Sequence, residues 1–317
     1  MEADDNRTMN TTAGLEGTAT LSHWGVIRAS GADAATFLHS QLTSDFAALG
    51  LSEVRLAGFC SAKGRLQASF IAWKTAHDEV LLACSTSVLP ATLKRLSMFV
   101  LRSRCRLSDA TADLALQGLA GAAAIEAAGD LAPWRKRDVG GVTFIRLPDA
   151  AGLPRAMRVA PAAAGMPPTL PESIWQWLEV QSGQPVIEAA TVDAFVPQML
   201  NLELLGGVDF SKGCYPGQEV VARSQYRGTI KRRMFLFDVP AAAAAGQEVF
   251  HSVDPGQPAG MVVNAAPSPA KDGSSALVEV KLALLREGTL HLAAPDGPVL
   301  RQRALPYGLP TEPTEAG

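Results

Sequence analysis

The chain has 317 residues, 47% of them hydrophobic, and a formal net charge of −3. The length predicts two or three domains with well-packed cores, and the small net charge does not favour nucleic acid as a partner. No apolar run approaches the roughly 18 residues that a membrane helix needs, so no membrane association is expected.

The cysteines and the N-terminus bear on the cellular compartment. Cys60, Cys84, Cys105 and Cys214 are scattered, with no Cys-x-x-Cys pair. This spacing argues against a zinc site, a self-contained iron–sulfur cluster and a disulfide scaffold. The acidic, polar start of the chain does not resemble a secretory or mitochondrial leader. We therefore predict reduced thiols, no metal site, a cytoplasmic location and a disordered extension over residues 1–19.

The first third of the chain alternates between strand and helix patterns. Phe37, Leu38 and Leu42 form one apolar helix face that ends at 43–45. Two strands flank a turn at residues 62–64 and read as a β-hairpin. The predicted strands are 21–28, 54–59, 65–73, 79–85 and 104–107, and the helices begin near 31 and at Pro90. This order indicates an α+β, ferredoxin-like layer.

The rest of the chain divides at about residue 228. Before this position, an alanine-rich region has strand and helix patterns around a loop at 161–171. After it, several short strand patterns are separated by Pro, Gly and Asp, and this pattern predicts a C-terminal β-barrel. The predicted strands are 114–119, 142–147, 155–159, 233–239, 259–263, 276–285, 289–293 and 299–305, and the helices are 122–128 and 172–181.

Residues 212–219 read Lys-Gly-Cys-Tyr-Pro-Gly-Gln-Glu and form the most chemically distinctive stretch. Glycine and proline around Cys214 favour a tight turn that holds the thiol at a surface. Nearby Lys212 and Arg223 would favour the thiolate. The alternative is a buried, structural cysteine, and the local chemistry alone leaves the two interpretations about equal.

The stretch from 201 to 223 resembles the signature of the YgfZ-type folate-binding proteins, in the superfamily of the glycine-cleavage T-protein (aminomethyltransferase). The leading run is Asn-Leu-Glu-Leu-Leu-Gly-Gly-Val-Asp-Phe-Ser, and Val-Val-Ala-Arg follows the cysteine motif. Shorter words near 33–45 resemble the family's N-terminal pattern. The resemblance covers the chain from about Leu21 onward. It implies two intertwined α+β lobes around a folate cleft over 20–227, and a β-barrel over 228–317.

The resemblance also implies where tetrahydrofolate, or a one-carbon derivative, binds. The pteridine ring presents adjacent N–H donors that a carboxylate can accept in parallel, and Glu179 stands where aminomethyltransferases carry such a glutamate; a solvated surface glutamate is the alternative. Arg223 and Arg227 are candidates for the anionic tail of folate, and Gln218 and Glu219 of the motif are expected at the same site.

Two runs of basic residues have two interpretations, as solvated faces or as binding surfaces. One contains Lys94, Arg95, Arg102, Arg104 and Arg106, and the other continues from Arg223 and Arg227 through Lys231, Arg232 and Arg233. Most such runs are solvated faces, although the second follows the cysteine motif and is well placed to hold an anionic ligand.

One departure from the T-protein concerns catalysis. That enzyme carries an acidic pair after its hairpin glycines, whereas residues 64–69 here read Gly-Arg-Leu-Gln-Ala-Ser. Ala68 and Ser69 cannot replace a carboxylate in charge stabilisation or proton transfer. Aminomethyl transfer is therefore not expected, and it is left open whether the protein is an enzyme at all.

The resemblance points to a tetrahydrofolate-binding protein that supports assembly or repair of iron–sulfur clusters in client enzymes, and thereby affects tRNA modification. Cys214, with Lys212 beside it, is the expected functional thiol, as a transient ligand to a cluster iron or in exchange with a client thiol. The alternatives are a folate-dependent one-carbon transferase, disfavoured by the missing acid, and an RNA-binding module, disfavoured by the net charge and the lack of an RNA-binding motif.

Overall fold

The computed structural model describes residues 14–226, 230–270 and 272–310. Within these ranges the chain forms five α-helices and three antiparallel sheets. The sheets are described in turn because the candidate site lies where elements from all three meet.

The first sheet belongs to the N-terminal part of the chain. Along its long strand the side chains alternate between two cores: Phe70 and Ala72 pack under the helices, whereas Ile71 and Trp73 face the second sheet. Its strands, in spatial order, are β3 (Val54–Cys60), β4 (Leu66–Ala76), β5 (Glu79–Ser85), β2 (Trp24–Ser30) and β6 (Arg106–Asp109), covered by helices α1 (Ala34–Gln41) and α2 (Leu89–Ser97).

The second sheet begins with the first strand of the described chain. Its strands, in spatial order, are β1 (Gly17–Thr20), β7 (Leu114–Ala120), β10 (Leu153–Pro161), β9 (Val142–Ala150) and β8 (Lys136–Val139), with helices α3 (Ala122–Ala128) and α4 (Glu172–Gln181) packed on it. Trp175 of α4 lies directly over Gly118, where an added Cβ would be 2.3 Å from the indole ring. The missing side chain at Gly118 is what allows this large ring to pack on the sheet.

The third sheet forms the C-terminal unit. Its strands, in spatial order, are β15 (Leu290–Leu292), β12 (Glu248–His251), β13 (Gly260–Pro267), β14 (Ser274–Lys281), β11 (Arg232–Val239) and β16 (Arg301–Arg303). Val299 forms a bridge with His291, and Leu300 N donates to Leu290 O at 2.8 Å. The segment that leads into β16 thus also touches β15, so the sheet curls around a core of its own.

These features confirm the predicted α+β class with a C-terminal barrel unit. Helices α3 and α4 and strand β5 have the predicted bounds, and the other predicted elements lie within a few residues. The pattern reading missed β1, β8, β12 and a helix α5 (Gln218–Tyr226) that follows the cysteine motif. The strands are only four residues long, too short for a clear alternation.

The predicted domain division stays a prediction. Residues 1–13 of the predicted extension lie outside the described ranges, and β1 begins at Gly17, inside that extension. The boundary predicted at 227/228 also falls on residues that are not described. No helix in the described part of the chain is long and apolar enough to cross a membrane.

Candidate functional site

A polar cavity of about 270 Å³ lies where helix α4, which packs on the second sheet, meets the first sheet and the barrel unit. His23 enters it from the turn before β2, Ser85 and Ser87 from the end of β5, and Gln176 and Glu179 from α4. The remaining lining comes from residues 184–188 and from β13 of the barrel unit. Four stretches of the chain that are distant in sequence thus build one cavity, the arrangement typical of ligand sites between structural units.

Glu179 is held at the edge of this cavity by three hydrogen bonds. The indole N–H groups of Trp24 and Trp175 donate to its Oε1, each at 2.8 Å, and His23 Nε2 lies 2.8 Å from its Oε2. A carboxylate can accept about four hydrogen bonds, so Glu179 retains room for one more. Its position in the cavity agrees with the predicted ligand-facing role, which stays a prediction.

Arg155 lies behind Glu179 in a fully buried position. Its guanidinium stacks on the Trp175 ring at 5.4 Å, and its Nε donates to Pro148 O at 3.1 Å. Burial lowers the pKa of Arg155 to about 10, against the attraction of Glu179. The stacked cation fixes the orientation of Trp175 and, through it, one of the donors to Glu179.

His23 is an imidazolium clamped between two glutamates. Its Nδ1 donates to Glu172 Oε1 at 2.6 Å, opposite the bond to Glu179. Burial alone would lower the pKa of His23, but the hydrogen bonds and charges of Glu179 and Glu172 outweigh it and raise the pKa to about 9. His23 is therefore a fixed cation at neutral pH that orients Glu179.

Glu188 is a second carboxyl group that lines the cavity. Asn264 Nδ2 donates to its Oε1 at 2.8 Å, and the same amide bonds both Val186 N and Val186 O at 2.8 Å. Burial raises the pKa of Glu188, and the negative charge of Glu179 adds to that effect. The amide of Asn264 thus positions Glu188 from the barrel side of the cavity.

The cysteine loop lies elsewhere, beside helix α1. Lys212 is buried, and its ammonium donates to the backbone carbonyls of Leu42, at 2.7 Å, and His39; it also lies 4.8 Å from the Tyr215 ring centroid. Burial lowers its pKa to about 8. Since the ammonium is turned onto these carbonyls, Lys212 anchors the loop to the C-terminal end of α1.

The turn after the cysteine packs on the tip of the β3–β4 hairpin. Gly217 has a φ of +81°, and an added Cβ there would lie 2.4 Å from Ser61 O. Gly64, with a φ of +69°, leaves 2.8 Å between such a Cβ and Val220. Gly217 of the motif and Gly64 of the hairpin are both needed because two backbones touch here.

Cys214 itself is exposed, which distinguishes it from the other cysteines. Burial raises the pKa of the Cys60 and Cys84 thiols to about 12, and it raises the pKa of Cys105 as well. His39 lies close to the loop: its Nδ1 is 2.8 Å from Asp45 Oδ1, and its Nε2 would be 3.5 Å from a Cβ at Gly213. The loop thus presents an accessible thiol.

The residues predicted for folate do not all meet in one place. Gln218, Glu219 and Arg223 lie on α5, where Arg223 Nη2 donates to Glu219 Oε1 at 2.8 Å on the exposed surface. Of the predicted residues, only Glu179 lines the polar cavity. Arg227 lies outside the described residues.

Ala68 and Ser69, which stand where the T-protein carries its acidic pair, also have defined contacts. Ala68 is fully buried under the helices, and Ser69 Oγ accepts a hydrogen bond from Ile187 N at 2.9 Å. Ser69 therefore holds the segment that leads to Glu188. In the described ranges, no cluster of His, Cys, Asp and Glu could hold a metal ion.

Comparison of structures defines the class of the fold. The chain superimposes on the glycine cleavage system aminomethyltransferase T from Bartonella henselae with a TM-score of 0.72 and 17% identity, over 92% of this chain and 86% of that one. The protein therefore has the T-protein fold.

Sequence comparison defines the family within that class. No protein-family model matches the chain. It is 32% identical over 230 residues to the tRNA-modifying protein YgfZ of Edwardsiella ictaluri, covering 68% of this chain and 69% of that protein. It is also 30% identical over 257 residues to the protein of the same name in Klebsiella pneumoniae, covering 73% and 74%. The chain belongs to the YgfZ family.

Sequence reasoning missed the residues around Glu179. His23 and Trp24, which bond to Glu179, and the bonded pair Glu188 and Asn264 stand in no motif, and these hydrogen bonds link positions up to 156 residues apart. The dipeptide His23-Trp24 at the start of a predicted strand was the sequence feature that could have indicated these residues, since an imidazole and an indole are both hydrogen-bond donors.

Proposed function

We propose that this protein binds tetrahydrofolate, or a one-carbon derivative of it, and supports assembly or repair of iron–sulfur clusters in client enzymes. Its effect on tRNA modification would then pass through clients that modify tRNA. The observation that carries the folate part is Glu179, a carboxylate that lines a cavity between three structural units in a T-protein fold.

The chemistry of the cavity supports a donor-rich heterocycle as ligand. A pteridine ring presents N–H groups along one edge, and a carboxylate accepts such groups strongly. Glu179 has one acceptor position left after its bonds to Trp24, Trp175 and His23. Its three donors are themselves buried or clamped, so the carboxylate is held in place before the ligand arrives, which favours affinity.

The exposed thiol of Cys214 supports the proposed role in assembly or repair of iron–sulfur clusters. Cys214 lies on a loop fastened by Lys212 and by the glycine contacts at Gly64 and Gly217. A thiolate at a fixed surface position can contact the iron of a client's cluster, which is then a substrate of this protein. It can also attack a client disulfide, forming a mixed disulfide and releasing the other sulfur as a thiolate. The Edwardsiella relative is named a tRNA-modifying protein, which supports the link to tRNA.

Aminomethyl transfer is not part of the proposal. Ala68 is buried in an apolar core and Ser69 is committed to Ile187, so neither supplies an acid. Incubation with methylene-tetrahydrofolate, ammonia and a reduced lipoyl carrier should give no turnover above a blank without protein, and clear turnover would support the transferase alternative.

Titration calorimetry tests the folate part. Tetrahydrofolate should release or absorb measurable heat with the wild type, and Glu179→Gln should weaken binding at least about tenfold, because a hydrogen bond to a charged group contributes about 1.5–3 kcal/mol. No binding of any reduced folate by the wild type would disprove the proposal. Equal affinity in the variant would remove Glu179 from the site.

A further inference from the structure

The cavity holds a second carboxyl group whose role the resemblance did not indicate. The ionisable side chains that line it are His23, Glu179 and Glu188. His23 is occupied on both ring nitrogens by Glu172 and Glu179. The two groups that remain able to meet a ligand are therefore both carboxyls.

Hydrogen-bond capacity shows why one carboxyl is not enough. Three protein groups already donate hydrogen bonds to the Glu179 carboxylate, which leaves one acceptor position on it. An edge with two adjacent N–H groups needs two acceptors, so Glu179 alone cannot satisfy it without releasing His23 or Trp24. Breaking either contact would leave a buried donor unpaired, at a cost of about 1–3 kcal/mol.

Glu188 has the capacity that Glu179 lacks. Asn264 donates to its Oε1 and the backbone N–H of Thr191 also donates to the carboxylate, which leaves about two acceptor positions. The amide of Asn264 is fixed in turn by Val186, so Glu188 is positioned without a ligand. Burial disfavours its charged form, and N–H donors from a ligand would stabilise that form.

We propose that Glu188 is a ligand-contacting, specificity-determining residue that accepts one N–H of the heterocycle's donor edge while Glu179 accepts the neighbouring one. This inference rests on the proposed folate binding and extends it. Recognition by two carboxyls from different elements would select rings with two adjacent donors over rings in which one position is an acceptor, because an acceptor facing a carboxylate is repelled.

Calorimetry with tetrahydrofolate on two variants tests this. Glu188→Gln should weaken binding at least about tenfold, as expected for losing a charge-assisted hydrogen bond. The matched control is Glu248→Gln, which removes the same charge from an exposed carboxyl on β12 of the same barrel unit and should leave the affinity within about twofold. A thermal melt of each variant shows whether it folds.

A crystal structure of the wild type with tetrahydrofolate keeps the test independent of variant folding. A Glu188 carboxylate oxygen within hydrogen-bonding distance of a ring nitrogen, together with the affinity loss, supports the inference. Bound folate without this contact, or unchanged affinity in a folded Glu188→Gln protein, overturns the inference and leaves the proposed function intact. No binding to the wild type overturns both.

Discussion

At the residue scale, exposure separates Cys214 from the other three cysteines. Cys60 and Cys84 are buried in apolar cores and Cys105 is half-buried. Since the thiolate is the reactive form, burial makes these three poor nucleophiles. A fixed, exposed thiol is the arrangement that surface chemistry with a client needs.

The stability and the activity of Cys214→Ser should therefore distinguish a structural role of this thiol from a chemical one. A nearly isosteric change at an exposed site should melt within a few degrees of the wild type, and it should bind folate normally. It should fail to restore client iron–sulfur enzyme activity in cells that lack the native protein, because a hydroxyl is a poor thiolate substitute.

The other cysteines supply the matched controls. Cys60→Ser, Cys84→Ser and Cys105→Ser should all restore client activity, at a cost of about 1–2 kcal/mol in stability for the buried sites. Full complementation by Cys214→Ser would make that thiol structural and would remove it from the proposal.

The raised pKa of His23 predicts that the stability of the folded protein depends on pH. Its pKa is raised from the ordinary 6.5 to about 9 by Glu179 and Glu172 against the opposing effect of burial. The folded protein therefore holds this proton more tightly than the unfolded chain, and the stabilisation is complete below about pH 6.5 and is lost as the pH rises through 9. A shift of this size corresponds to at most about 3 kcal/mol.

Thermal melts of the wild type and His23→Gln between pH 6 and pH 9.5 check this. The stability advantage of the wild type should be largest near pH 6 and should shrink steadily towards pH 9.5. A difference that does not change with pH would mean that His23 is neutral in the folded protein.

At the element scale, the hairpin tip and the cysteine loop act as one contact. Gly217 meets the backbone at Ser61, and Gly64 meets Val220 at the start of α5. These approaches explain why glycine stands on both sides of the contact: a side chain at either position would push the loop away from the hairpin. The position of the thiol depends on this contact, because Gly217 lies in the turn from Tyr215 to Gln218 that directly follows Cys214.

Gly217→Ala tests the contact. A Cβ at a φ of +81° and 2.4 Å from Ser61 O should cost about 1–3 kcal/mol of unfolding free energy. Gly213→Ala is the control in the same loop, since its nearest neighbour would be His39 Nε2 at an ordinary 3.5 Å. Urea denaturation measures both, and equal losses would contradict the proposed role of the close backbone approach.

At the scale of the whole molecule, the barrel unit is part of the ligand cavity. Asn264 bonds the backbone of Val186, Trp177 Nε1 donates to Ser275 Oγ at 3.0 Å, and Tyr307 donates to Gly183 O at 2.8 Å. These contacts tie the C-terminal sheet to helix α4 and to the segment that follows it. The cavity therefore depends on the packing of the barrel unit against α4 and the segment that follows it.

Asn264→Ala should weaken both stability and ligand binding. The change leaves Val186 N–H and C=O without partners in a buried position, which should cost about 2–5 kcal/mol. It also frees Glu188, so the affinity for tetrahydrofolate should fall. Gln257→Ala, which removes an exposed side chain of the same unit, should change the unfolding free energy by at most about 0.5 kcal/mol. Unchanged folate affinity in a folded Asn264→Ala protein would contradict the role given to the barrel.

The sequence alone determined the elements and the family resemblance. Helices α3 and α4 and strand β5 were predicted with the bounds that the structure has, because in each the apolar residues form a local run or face between flanking turn residues. The cysteine motif was found because its residues are contiguous, so its signal does not depend on folding. Short strands such as β12 were missed because four residues carry too little periodicity.

Only the tertiary structure decided what surrounds Glu179 and where the thiol lies relative to it. His23 and Trp24 come from the first sheet, Asn264 from the third and Glu188 from the segment after α4, and neither motif nor spacing connects them along the chain. The structure also showed that the Lys212 ammonium bonds to carbonyls at the C-terminal end of α1, which the sequence had not indicated; its predicted role beside the Cys214 thiol stays a prediction. Periodicity and motifs encode local geometry, whereas a cavity depends on how distant segments pack, and that is set by the burial of the cores they share.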